Sequence, residues 1–173
     1  MGRAHPQFDP LGLPSVKEAS GHVLRFALQG LSGPERKALN TVSAFRMPAS
    51  YETLAAIRVG DEKPFADESA LDRAFADLED RGLLGWDRRA NRYDLHPIVR
   101  GVVWNGLGQV SRYRVYATLR AYFEPIPAVR PQEVDSLNEL TPTVELYRTL
   151  IGLGQYEDAF VVFRDRLSDD AGN

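Results

Sequence analysis

The chain contains no cysteine and only three lysines among its 173 residues. The first absence excludes disulfide bridges, thiolate metal centres and a cysteine nucleophile. The second bears on nucleotide chemistry. A Walker-type phosphate loop needs a glycine directly before its lysine, so that backbone amides and the ammonium together hold the phosphates. Lys17, Lys37 and Lys63 instead follow Val16, Arg36 and Glu62, so this sequence holds no such loop. No apolar run reaches the about 18 residues that a membrane-crossing helix needs. The opening residues, with Pro6, Pro10 and Pro14, have the pattern of neither a signal peptide nor a transit peptide, and a cytoplasmic location is expected. His5, His22 and His96 lack metal-ligand spacing, so no metal is expected, and no Gly-x-Ser-x-Gly elbow occurs.

What is present is an ordinary globular composition: 43% hydrophobic, 26% charged and 10% aromatic residues, with a net charge of −3. A folded chain of this mass buries roughly two thirds of the surface its unfolded form exposes, enough for a real core. The charge is laid out in blocks. Residues 61–80 hold eight carboxylates against Lys63 and Arg73, and residues 88–130 hold eight arginines against Asp94 and Glu124. From Pro131 onward nine carboxylates face three arginines. Blocks of opposite sign form solvated faces or dock on one another or on a partner.

Hydrophobic periodicity organises the chain into helices with one interruption. Residues 1–15 read as an irregular lead-in, and Val16, Ala19, Val23, Phe26 and Ala27 recur at helical spacing. Ser32-Gly33-Pro34-Glu35 is a helix start, with Ala38, Leu39, Val42 and Phe45 as the apolar stripe and Met47-Pro48 as the stop. A short helix follows from Ser50, with Tyr51, Leu54 and Ile57 inward. A third starts at a capping box of Ser69 and Asp72, carries Leu71, Ala74, Phe75 and Leu78, and closes at Arg81-Gly82. Then the period changes to two: Leu84 and Trp86 alternate, a turn runs through Asn91, and Tyr93 and Leu95 alternate, which predicts a two-stranded hairpin. His96-Pro97 opens a fourth helix with Ile98, Val99, Val102, Val103 and Leu107 inward. Three helices, a hairpin and another helix make a winged-helix arrangement, a variant of the helix-turn-helix theme. Residues 111–123 predict a tyrosine-rich amphipathic helix, Pro125 to Pro131 a break, and residues 143–153 and 155–167 a helical hairpin around Gly154. The expected class is mainly α. A helix plus winged helix spans 16–110, and a truncated tetratricopeptide-like helical region spans 111–173.

The runs Arg81-Gly82-Leu83-Leu84-Gly85-Trp86 and Arg92-Tyr93-Asp94-Leu95-His96-Pro97-Ile98-Val99-Arg100 resemble the winged-helix segment of bacterial STAND-class (NB-ARC/AP-ATPase-like) signalling NTPases. The match covers about residues 24–107. Leu146, Gly154, Tyr156, Ala159 and Phe163 have spacings similar to a tetratricopeptide repeat, with Tyr147 where such repeats have a small residue. The resemblance implies a P-loop ATPase module upstream, with ADP or ATP bound there, and a superhelix of sensor repeats downstream. On that reading this chain is a non-catalytic segment with no cofactor of its own. Its partners are its ATPase module, its downstream repeats and other proteins, with no membrane. The resemblance also implies that His96, in the place of the family's Met-His-Asp-like motif, contacts the β-phosphate of ADP. Pro97 replaces the aspartate of that motif. The residues by themselves favour a helix-capping or structural role for His96, and the resemblance brings the two readings level.

Arg88, Arg89 and Arg92 on the hairpin, with Arg100 after it, are candidate anion or partner contacts. They keep a second reading in view, a DNA-binding winged-helix regulator. Residues 67–80, which would enter the major groove, carry six carboxylates and one arginine, and such a helix repels a polyanion. Trp86, Tyr93 and Trp104 are expected in the core, and Tyr113, Tyr116, Tyr122 and Phe123 against the following helical hairpin.

Overall fold

The computed structural model describes Leu24, residues 26–129 and residues 133–168. The chain forms two compact units, Met1–Ser32 and Gly33–Asn173. The expected lead-in at 1–15 and the helical positions Val16, Ala19 and Val23 lie outside the described residues. In the first unit, residues 26–29 are helical (α1), and Phe26 is 79% exposed. Its place in an apolar stripe selects a helix face, but spacing alone supplies nothing to cover that face.

The second unit is mainly helical with a small three-stranded antiparallel sheet. Its order is α2 (Gly33–Ala44), β1 (Ala49–Ser50), α3 (Tyr51–Arg58), α4 (Glu68–Asp80), β2 (Gly85–Asp87), β3 (Arg92–Asp94), α5 (Pro97–Gly106), α6 (Gln109–Phe123), α7 (Thr141–Gly152) and α8 (Tyr156–Arg166). Ala38, Leu39, Val42 and Phe45 are buried as the α2 stripe predicts. Ser50 caps α3 by accepting from the Thr53 amide at 3.2 Å. The start of α4 differs from expectation. Asp67, two residues before the anticipated Ser69, is the cap, and its Oδ1 accepts from the Ala70 amide at 2.8 Å. Both sites match the capping pattern. The earlier one adds two residues, Glu68 and Ser69, to the helix, in which Leu71 and Leu78 are buried.

Helices α4 and α7 end in the same way. Gly82 (φ 67°) and Gly154 (φ 74°) take the left-handed conformation that closes a helix. The Leu83 amide then donates to the Leu78 carbonyl, and the Gln155 amide to the Leu150 carbonyl, each at 2.9 Å. Any β-carbon at these glycines would strain the turn.

The sheet has one strand more than expected. Ala49 and Ser50 pair with Tyr93 and Arg92, which puts β3 in the centre, between β1 and β2. Two residues hemmed by prolines and helices carry no readable period, so only the tertiary pairing reveals β1 as a strand. On the other side Trp86 pairs with Tyr93. Tyr93 is buried and packs on Phe75 at 4.6 Å, while its cross-strand partner Trp86 stacks on it at 5.7 Å but remains 39% exposed. The expectation of a core Trp86 therefore fails, because β2 is an edge strand of the sheet. Ile98 is likewise exposed, since α5 buries Val99 and Val103, one turn apart, and Ile98 falls outside that narrow face.

Helices α2, α4, α5 and the sheet surround the core, with α2 packed on α5, α4 and α6. α6 packs on α7 and α7 on α8, so the helical hairpin is added to this core through α6. Two contacts hold the addition. Phe45, just past α2, meets Phe123 edge-on at 6.0 Å. Glu145 of α7 is 1% exposed, and its Oε1 accepts from the amides of both Arg46 and Met47 at 3.2 Å each. Those amides lie where α2 has ended, so no helical carbonyl serves them, and the carboxylate takes that place.

Burial raises the Glu145 carboxyl above the ordinary carboxylate range, while the Met47 and Arg46 amides and the charges of Arg148 and Arg100 pull it partly back. A carboxyl whose folded value lies above its unfolded value binds its proton more tightly when folded. The stability linked to it is present below the unfolded pKa and is lost as pH rises through the folded one. Urea denaturation should thus show wild type losing stability relative to Glu145→Gln as pH climbs from the ordinary glutamate range upward. Glu145→Ala should cost about 2–4 kcal/mol at neutral pH, because it leaves two amides without an acceptor. A midpoint unchanged by the alanine substitution would show that the joint does not depend on this carboxylate.

Candidate functional site

The residues singled out in the sequence fall around the junction of β3 with α5 and on the β2–β3 turn. His96 occupies the junction. Its backbone (φ −53°, ψ 138°) stops short of helical geometry, Pro97 follows at the first helical position, and its Nδ1 accepts from the Ile98 amide at 3.3 Å. This is a helix cap made by an imidazole. With Nδ1 used as the acceptor, Nε2 is the ring nitrogen left to carry the N–H, and the residue is exposed. The N-terminal turn of α5 holds no carboxylate, so the positive end of its dipole is uncompensated by its own sequence.

Asp94 precedes this cap. Its Oδ1 accepts from the Leu95 amide at 2.8 Å and from Arg100, with which it forms an ion pair. The Arg100 side chain is only 13% exposed, and its Nε is buried with no hydrogen-bond partner. Arg100 is therefore committed to holding β3 against α5. The structure brings Asp94, His96 and Arg100 together across one strand–helix joint, a grouping with no local signature because Asp94 and Arg100 are six positions apart and on different elements.

The three hairpin arginines do not converge. The Arg88 guanidinium lies 5.1 Å from the Trp86 ring centroid, a cation–π contact. Arg89 is exposed at the turn, where its amide donates to Asp87 Oδ1 at 2.9 Å. Arg92 lies in β3 and its charge helps hold the Glu52 carboxyl below its usual range, behind the larger effects of hydrogen bonds to that group from the backbone and from Ser50. The turn itself uses Asn91 at φ 49°, whose side chain donates to Glu52 at 3.3 Å.

Facing this hairpin is α4, whose Glu68, Asp72, Asp77 and Asp80 are exposed. A groove of about 540 Å³ lies between them, lined by Tyr51, Asp72, Glu79, Trp86 and Arg88 among others. The Tyr51 hydroxyl donates to Asp72 at 2.6 Å. Burial, then the charges of Glu79 and Asp72, push the Tyr93 phenol up to about 12, and Tyr51 is raised further by burial and by Asp72. The electrostatic character of this face is negative, with aromatic rings beneath it. The sequence shows the carboxylates of α4 but not that Trp86 and Tyr51 complete the groove with them. A helical wheel of α7 does carry one signal for the buried Glu145, since that residue falls on the same arc as Leu146, Thr149 and Leu150.

Among the described residues no helix is long and apolar enough to cross a membrane, and no group of three or more His, Asp or Glu side chains is placed to hold a metal ion. No protein-family model, no curated protein and no solved structure matches this chain.

The cap and the ion pair make distinct stability predictions. His96→Ala removes one long, exposed capping bond and should cost about 0.5 kcal/mol, and His96→Asn should restore it. Asp94→Ala strips a buried guanidinium of its partner and an amide of its acceptor, and should cost about 1–2 kcal/mol. Chemical denaturation of the three variants checks the order. A His96→Ala loss as large as that of Asp94→Ala would make His96 a structural residue.

Proposed function

We propose that this chain is a non-catalytic regulatory and scaffold segment of a STAND-class signalling NTPase. In this reading α2 to α5 with the sheet form the winged helix, and α7 with α8 form the first tetratricopeptide-like hairpin. The segment relays the nucleotide state of an ATPase module to sensor repeats through protein contacts. The observation that carries the reading is His96. It follows β3, caps α5 through Nδ1, and is an exposed residue at a helix terminus whose dipole favours an anion. A phosphate oxygen of ADP is the anion such a group would meet.

Two further features support it. The order helix, short strand, helix, helix, two-stranded hairpin, with β1 pairing onto the hairpin, suits a winged helix. On α8, Ala159 and Val162 are buried, while Tyr156, Phe160 (61% exposed) and Phe163 are not. An apolar face of that kind suits a helical array in which a further hairpin packs on α8. The DNA-binding reading is disfavoured by charge. α4 would be the groove-facing helix, and its exposed side is acidic.

Three measurements test this function. Calorimetry of the chain with ATP and ADP should show no saturable binding in the micromolar range, since no phosphate loop is present. Duplex DNA should bind only weakly and with strong salt dependence, and a nanomolar, sequence-selective complex at physiological salt would favour a transcriptional regulator instead. In the longer NTPase that this reading requires, His96→Ala should weaken ADP retention by about 1.5–3 kcal/mol, that is, faster ADP release and signalling without stimulus. Unchanged ADP release would remove His96 from the nucleotide contact.

A further inference from the structure

A second concavity lies away from the wing, between the end of α2, α6 and α7. Its volume is about 460 Å³, within the range of small-molecule sites. Arg46 and Arg148 line it from opposite elements, both side chains are exposed, and neither guanidinium has an ion pair or hydrogen bond among the described residues. The Tyr116 phenol also lines it. This half-buried ring packs edge-on against Trp104 at 5.0 Å, and its hydroxyl has no hydrogen-bond partner among the described residues.

These three donors share one neighbourhood. Arg46, Arg112 and Arg148 all lie near enough to the Tyr116 phenol to favour its charged form against the larger opposing effect of burial. Arg112 is occupied, donating to the carbonyls of Trp104 and Asn105, so Arg46 and Arg148 are the free charges. Glu145, also on the lining, spends its Oε1 on two amides. Even with that carboxyl ionised the two arginines leave the cleft positive. The remaining wall is apolar and aromatic, with Tyr147, Val144 and Ile151. Such a combination of guanidinium forks, a phenolic donor and a flat apolar wall matches one ligand chemistry. An oxyanion takes the forks, and a ring lies along the wall.

We infer that the α2–α6–α7 cleft binds a small planar molecule bearing a carboxylate or phosphate, with its oxyanion on Arg46, Arg148 and Tyr116 and its ring against Tyr147. Such a ligand bridges the same two elements that Glu145 joins. It therefore strengthens the attachment of the helical hairpin to the core and raises its stability as the logarithm of ligand concentration once that exceeds the dissociation constant. This inference is independent of the proposed role of His96.

The test uses benzoate, phenyl phosphate and inorganic phosphate as probes, titrated into the chain at physiological salt. Trp104 emission in a Trp86→Phe background reports on binding, because Trp104 touches Tyr116. The expected result is saturation by benzoate or phenyl phosphate with a dissociation constant below about 1 mM, and about tenfold weaker binding of inorganic phosphate. Arg46→Ala combined with Arg148→Ala should weaken the better probe at least about tenfold, and Arg164→Ala on α8 should leave it unchanged. Arg46→Gln with Arg148→Gln keeps the aliphatic stems and serves if the alanine pair does not fold. The inference is overturned if neither aromatic probe saturates, if the double variants bind like wild type, or if inorganic phosphate binds as tightly as the aromatic acids.

Discussion

One buried carboxylate governs how the second unit is put together. Glu145 enters the interior on α7, and its Oε1 accepts from the amides of Arg46 and Met47, just past the end of α2. An ionisable group is costly to bury, and here the cost is offset because two otherwise unserved donors converge on it. Phe45 and Phe123 pack beside this joint, and α8 follows α7 into place. Without it, the helical hairpin would meet the core through side-chain packing alone. The arginine-lined cleft also borders this carboxylate, so the strength of the joint and the electrostatics of the cleft are set by the same group.

The rest of the core is organised by Tyr93. As the middle residue of the central strand it faces Ala49 on one side and Trp86 on the other, and its ring lies on Phe75 of α4. The sheet is too small to be stable alone, and this aromatic cluster is what attaches it to the helices. The arrangement also separates charge. α4 turns its apolar side to Tyr93 and its carboxylates outward, across the groove from the wing. The wing arginines are divided among a ring, an exposed turn and a neighbouring glutamate, and Arg100 is withdrawn into an ion pair. What stays exposed at the strand–helix joint is the imidazole of His96. This division of labour, with one residue free and its neighbours engaged, underlies the proposed nucleotide-sensing role.

Much of this was legible in the sequence. The helical stripes of α2, α3, α4 and α5, the change of period at Gly82, the turn at Asn91 and the hairpin around Gly154 follow from local rules, because apolar spacing and left-handed glycines act within a few residues. The same rules locate His96 before Pro97 at a helix start. They decide which residues share a face, and where a chain can turn.

Other features came only with the tertiary structure. Ala49 and Ser50 became a strand because Tyr93 and Arg92 arrived beside them, Trp86 stayed half-open because β2 is an edge, and Asp67 rather than Ser69 capped α4, accepting from the Ala70 amide. The meeting of Glu145 with Arg46 and Met47 spans almost one hundred residues, and so does the approach of Arg46 to Arg148 across the cleft. Local periodicity is a property of a few consecutive side chains. Pairing, coverage and the convergence of charges depend on which distant segments the core brings together, and no window of sequence contains that.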